Sequence, residues 1–148
     1  MNIGIIGLGK MGFNLSKNLI KHGHNVIAFD TNNDVIDEIS NEGAIPAYSI
    51  KEVCEKLEGR KIIWLMVPNG APVDSVISEL LPNINKKDII IDGGNSNYKE
   101  SIRRNKELRE KEVDFIDCGT SGGISGALNG ACLMVGGDNE PVKYCEQI

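Results

Sequence analysis

Residues 1–12 limit what this chain can fold into more than any other segment. An apolar run, Ile3 to Ile6, leads straight into Gly7-Leu8-Gly9-Lys10-Met11-Gly12. An apolar pattern of helical period then follows over Lys10–Lys21, with Met11, Leu15, Leu19 and Ile20 on one face. Strand, glycine turn and helix in that order give a G-x-G-x-x-G motif the context it needs to be informative. Gly7 permits the tight turn, Gly9 leaves room for a pyrophosphate, and Gly12 lets the helix pack close to the strand. The helix N-terminus would then offer unpaired N–H groups and a partial positive charge to phosphates. Gly7, Leu8, Gly9, Lys10, Met11 and Gly12 are therefore candidate cofactor-binding residues.

The rest of the chain extends the same pattern. Val26–Phe29, Lys61–Val67, Asp88–Asp92, Val113–Asp117 and Ala131–Val135 read as strands. Asn33–Ser40, Ser49–Leu57, Pro72–Leu81 and Tyr98–Glu110 read as helices. Continuous Ile/Val-rich runs suggest strands covered on both faces. Strands that alternate with helices predict an α/β, doubly wound, mostly parallel sheet in three layers, a Rossmann fold. Residues 1–148 read as one dinucleotide-binding domain. A last periodic segment opens near Asn139, close to the end at Ile148, as expected of a piece of a longer protein.

Asp30 falls at the end of the second strand, where an acid accepts hydrogen bonds from an adenosine ribose. Capping of the next helix is its alternative role, although Asn32 or Asn33 can do that. A carboxylate opposite a 2′-phosphate is repelled by ~4 kcal/mol per unit-charge pair at ~4 Å and an effective dielectric of ~20. No arginine stands at Thr31 or Asn32 to offset this. NAD is the preferred expectation, with NADP as the alternative.

Two further segments carry candidate polar groups. In Asp92-Gly93-Gly94-Asn95-Ser96-Asn97-Tyr98, Asn95 offers a donor and an acceptor to cofactor and substrate. Alternatively, the segment is a polar turn that caps a helix through Ser96 or Asn97. In Gly119–Gly126, Ser121 and neighbouring N–H groups can form an anion nest. A flexible glycine-rich loop is the other reading. Ser121 lacks a supporting His–Asp pair nearby in sequence, which argues against a serine nucleophile.

A net charge of −5 argues against a general nucleic-acid or anionic-membrane surface. No apolar run approaches a membrane span, and no secretory leader is legible at the N-terminus. Cys54, Cys118, Cys132 and Cys145 form no metal-like cluster with His22 or His24. Free thiols and a cytoplasmic setting are expected, with no metal site. His22 and His24 flank a helix-ending glycine and should be solvated, whereas Trp64 should be core. Arg103–Glu112 reads as a solvated helix face, with Arg103 or Arg104 free to approach the sheet edge.

Together these segments resemble the 6-phosphogluconate dehydrogenase (decarboxylating) family, within the β-hydroxyacid dehydrogenase superfamily. The carrying residues are GLGKMG at 7–12, LMVPNG at 65–70, DGGNSNY at 92–98 with Arg103-Arg104, and SGGISGA at 121–127 with LMVGG at 133–137. The resemblance implies that Gly7–Gly12, Asp30, Thr31, Asn32, Val67, Pro68, Asn69 and Asn95 contact the dinucleotide. It implies that Asn95, Ser121, Gly122 and Gly123 contact 6-phosphogluconate. It implies oxidation of the 3-hydroxyl by hydride transfer, loss of CO2 and formation of ribulose 5-phosphate, with no metal. The family's lysine base and glutamate acid are expected beyond Ile148, in or before a helical domain that makes much of a homo-oligomer. NADP-using members carry Asn-Arg-Ser/Thr where this chain has Asp30-Thr31-Asn32, which again points to NAD. Another β-hydroxyacid dehydrogenase and a non-catalytic dinucleotide-binding module are the competing readings.

Overall fold

A computed structural model describes residues 1–148. The strands are β1 (Asn2–Ile6), β2 (Asn25–Phe29), β3 (Ile45–Pro46), β4 (Ile62–Leu65), β5 (Ile89–Asp92), β6 (Asp114–Ser121) and β7 (Cys132–Gly137). The helices are α1 (Lys10–Lys21), α2 (Asn33–Asn41), α3 (Ile50–Lys56), α4 (Ala71–Leu80), α5 (Tyr98–Arg109), α6 (Gly123–Asn129) and α7 (Asn139–Tyr144). All seven strands form one sheet in the order β3-β2-β1-β4-β5-β6-β7. Every pairing is parallel except β6 with β7. The chain leaves β1 in one direction to β2 and β3, then returns to place β4 on the other side of β1. The carboxyl ends of β1 and β4 therefore diverge into a crevice, the usual place for a ligand in such sheets.

The Ile-rich runs alternate between two cores. Ile3, Ile5, Trp64, Ile89 and Ile91 face one layer of helices, which includes Leu15 and Leu19 of α1. Ile6, Ile63, Leu65 and Ile90 face the other layer, with Val53 of α3 and Val73, Ile77 and Leu80 of α4. Burial on both faces is why these strands read as unbroken apolar runs. Trp64 is buried, as its setting suggested. Gly23, at φ +83°, lets His24 N–H reach Leu19 O and its own N–H reach Ile20 O, which closes α1 with a Schellman turn. His22 is exposed and His24 partly so.

Two elements differ from expectation. β3 has only two residues, and Pro46 has no N–H to give, so it carries no sequence signal. β6 continues beyond Asp117 to Ser121 because Gly119, Thr120 and Ser121 pair with Met134, Leu133 and Cys132 of antiparallel β7. The segment from Gly119 is therefore strand and then helix α6, not a flexible loop. Of Arg103 and Arg104, both free to approach the sheet edge, Arg104 is the one that turns in: it is 1 % exposed and bonds Asp92 at the end of β5.

No helix is long and apolar enough to cross a membrane. All four cysteines are free. Burial raises the thiols of Cys54, Cys118 and Cys145 to about 11, while Cys132 is exposed on β7. At pH ~8 a thiol of that pKa is about 0.1% thiolate, the form that reacts. Iodoacetamide is therefore expected to label Cys132 first in the native chain, as read by peptide mass mapping. Equal labelling of Cys54 or Cys118 would contradict this packing.

Candidate functional site

The crevice holds a cleft of about 770 Å³ at the carboxyl ends of β1, β2, β4 and β5. Gly7, Gly9, Lys10, Met11 and Gly12 line it from the β1–α1 turn. Gly7 has φ +98°, and a Cβ there would lie 2.6 Å from Met66 O. A Cβ on Gly12 would lie 2.0 Å from Gly7 O, so α1 packs against its own turn. A Cβ on Gly9 would meet nothing within 4 Å. Gly7 and Gly12 thus serve the protein's packing, and Gly9 leaves space open to a ligand. Gly9 is also the N-cap of α1, which has no side-chain cap. The leading N–H groups of that helix are left to whatever occupies the cleft. An uncapped helix start beside open space fits a pyrophosphate.

Leu8 does not line the cleft. Its side chain is buried in the core, and its N–H donates to Asp30 Oδ2 at 2.6 Å. Asp30 Oδ1 accepts from Asn32 N–H at 2.9 Å and from the Thr31 hydroxyl at 3.4 Å. Asp30 and Thr31 both line the cleft, so this carboxylate ties the glycine turn to the end of β2 while it faces the ligand space. Asn32 caps α2 by accepting from Asp34 N–H at 3.0 Å. Asp30 is thereby released from the capping role.

Val67 and Pro68, after β4, form the opposite wall. Asn69 is exposed and donates to Asn95 O at 3.5 Å. Gly93 and Gly94 both reach the cleft, but their missing side chains first serve close packing. A Cβ on Gly93 would lie 2.5 Å from Trp64 Nε1, and one on Gly94 would lie 2.6 Å from Val67 O. Asn95, at φ +55°, lines the cleft, and its Oδ1 accepts from Thr120 N–H at 3.4 Å. Asn97 caps α5, accepting from Lys99 N–H. Ser96 instead donates to Asp92 at 2.7 Å. Ser121 ends β6, and Gly122 and Gly123, at φ +123° and +59°, make the turn into α6. These three adjoin Thr120, a cleft residue, but lie outside the cleft wall itself.

Sequence reasoning did not find what holds the Asn95 loop. Asp92 is fully buried and accepts from Gly94 N–H at 3.0 Å, from Ser96 at 2.7 Å and from Arg104 at 3.4 Å. Arg104 also donates to Asp74 of α4 at 2.8 Å and to Gly70 O at 3.2 Å. Its bond to Asp74 holds the guanidinium above its usual pKa and the Asp74 carboxyl below its own. One buried side chain thus joins the loops after β4 and β5. The second unread feature is the outward face of α4. Pro72, Ser75, Val76 and Glu79 recur at helical spacing and line the cleft, while Val73, Ile77 and Leu80 face the core.

A doubly wound sheet with an uncapped, glycine-opened helix start at its switch point and an acid at the end of β2 defines a dinucleotide-binding Rossmann domain. The model of the NAD binding domain of 6-phosphogluconate dehydrogenase matches residues 2–148, and the chain belongs to that family. A Bacillus subtilis protein is 45% identical over 148 residues, all of this chain and 50% of that protein. The NAD(+)-dependent, decarboxylating 6-phosphogluconate dehydrogenase of Haloferax volcanii is 42% identical over 137 residues, 93% of this chain and 45% of that enzyme. The solved 6-phosphogluconate dehydrogenase of Plasmodium falciparum is 33% identical with a TM-score of 0.88, covering 97% of this chain and 33% of that one. The chain spans about half or less of the length of the relatives it matches.

Proposed function

We propose that residues 1–148 are the cofactor-binding part of an oxidoreductase that converts 6-phosphogluconate to ribulose 5-phosphate with NAD. The observation that carries this reading is the Gly9 opening at the uncapped start of α1, with Asp30 on the same cleft wall. The first turn of α1 would hold the pyrophosphate, and Asp30, with Thr31 and Asn32 beside it, the adenosine ribose. Val67, Pro68 and Asn69 would flank the nicotinamide half. Asn95 would orient the nicotinamide and, with Ser121, Gly122 and Gly123, the sugar acid. NAD, when bound, would supply a hydride acceptor for C3 of the substrate, and the proton of the C3 hydroxyl would pass to the family's lysine, expected outside residues 1–148. The resulting ketone stands β to the carboxylate and accepts the electron pair when CO2 departs. The enediol that remains becomes the ketopentose. The family's lysine and glutamate have no counterpart among residues 1–148; Lys10, Lys99 and Lys143 stand in no matching context. A homo-oligomeric whole protein in the cytoplasm accords with this reading.

Titration calorimetry on the 148-residue chain tests it. NAD and ADP-ribose should bind, NADP more weakly, and NAD with 6-phosphogluconate should yield no NADH. Failure of both NAD and ADP-ribose to bind would sink the reading of the cleft. Tighter binding of NADP would overturn the role given to Asp30, and robust turnover would overturn the assignment of acid and base outside residues 1–148.

A further inference from the structure

Charge in the cleft is unevenly supplied. Lys10, beside the glycine turn, is the one cation among the lining residues, and the anions are Asp30 and Glu79. Asp30 is held by Leu8 N–H, Asn32 N–H and the Thr31 hydroxyl, so much of its hydrogen-bonding capacity is already taken. Glu79 differs. It is exposed on α4 and belongs to none of the ion pairs in the structure. It stands one turn beyond Ser75 and Val76 on the helix face that walls the cleft. Opposite that wall, the same cleft takes in Asp30 and Thr31 at the end of β2.

We propose that Glu79 is a second specificity-determining residue, whose unpaired carboxylate disfavours a phosphate on the adenosine ribose and so favours NAD over NADP. The inference rests on the dinucleotide reading of the cleft. It assigns to α4 a role that the resemblance places only at residues 30–32. The mechanism is through-space repulsion and needs no contact, because a 2′-phosphate adds nearly two negative charges that NAD lacks. At low ionic strength, where the Debye length is ~30 Å at ~0.01 M, one carboxylate on the cleft wall changes the affinity of such a group a few-fold.

The test is the ratio of NADP to NAD dissociation constants for the 148-residue chain and its E79Q and E79K variants. ADP-ribose serves as the probe of the cleft itself. At low ionic strength the ratio should fall about threefold in E79Q and about tenfold in E79K, and both effects should shrink on going from ~20 mM to ~500 mM salt. If NAD and ADP-ribose bind while neither variant moves the ratio, Glu79 has no such role. A shift of the same size in both variants, or one insensitive to salt, would also overturn it. If neither ligand binds the parent chain, the dinucleotide reading itself has failed.

Discussion

Gly12→Ala is expected to destabilise the chain by ~3 kcal/mol, near the upper end for overpacking a tight site. Helix propensity alone predicts the opposite sign, since alanine in a helix interior is favoured over glycine by ~1 kcal/mol. Sterics decide. The new Cβ would sit 2.0 Å from Gly7 O and 3.0 Å from Met66 Cβ. Neither is the free end of a flexible side chain. The first is backbone of the same turn, and the second is the stem of a residue whose N–H is bonded to Ile6 O at 2.7 Å. Helix α1 must therefore lift from the sheet, which opens the contact of Leu15 and Leu19 with Ile3 and Ile5. A loss of ~3 kcal/mol should lower Tm by ~6–12 °C in a domain of this size. Gly9→Ala supplies the contrast. Its Cβ meets nothing within 4 Å, and its φ of −63° suits any L-residue. Its melting should match the parent, while NAD affinity should fall at least tenfold because the methyl group occupies the proposed pyrophosphate space. Urea denaturation and calorimetry on the two variants separate packing from binding. A stable Gly12→Ala chain, or one in which Gly9→Ala binds NAD normally, would contradict the division of labour between these glycines.

The glycine turn was legible because its parts are consecutive. Strand, turn and helix start lie within 12 residues, and each glycine has a local steric reason. The Ile/Val runs were legible because burial on both faces leaves no polar interruption. What escaped notice depends on register and on pairs distant in sequence. Asp74 and Arg104 meet only because α4 and α5 pack beside each other, and no pattern within either helix announces a partner. The extension of β6 to Ser121 requires β7 to return antiparallel, which the Gly-rich composition of 119–126 hides. Gly93 and Gly94 chiefly admit Trp64 and Val67, which the sequence could not place against them. Glu79 gives no signal in the sequence because its cleft exists only once the end of β2 and α4 border the same space. The Asp30 site was readable in position but not in detail: its bond to Leu8 N–H joins two ends of adjacent strands.

Arg104→Ala should cost ~3–5 kcal/mol, the range for removing one partner of a buried pair. Arg104 is 1 % exposed and Asp92 0 %. Their presence says little about net stability, because desolvation offsets much of the attraction. Removal is different, since it leaves the Asp92 carboxylate inside the protein with only Gly94 N–H and Ser96 as partners. It also frees Gly70 O and leaves Asp74 to Arg103 alone, which loosens the start of α4 from the Asn95 loop. A double variant tells charge from volume. In Asp92→Asn/Arg104→Met the amide oxygen still accepts from Gly94 N–H, the amide N–H2 can face Ser96, and methionine fills much of the arginine's space. If an unpaired buried charge is the main cost, this double variant should be more stable than Arg104→Met alone, by ~1–2 kcal/mol in urea unfolding, despite carrying two changes. If it is equally or less stable, the guanidinium's own bonds to Asp74 and Gly70 dominate, and the pairing with Asp92 is secondary. In either variant NAD affinity should fall less than in Gly9→Ala, because the network stands behind the Asn95 loop and not in the pyrophosphate space.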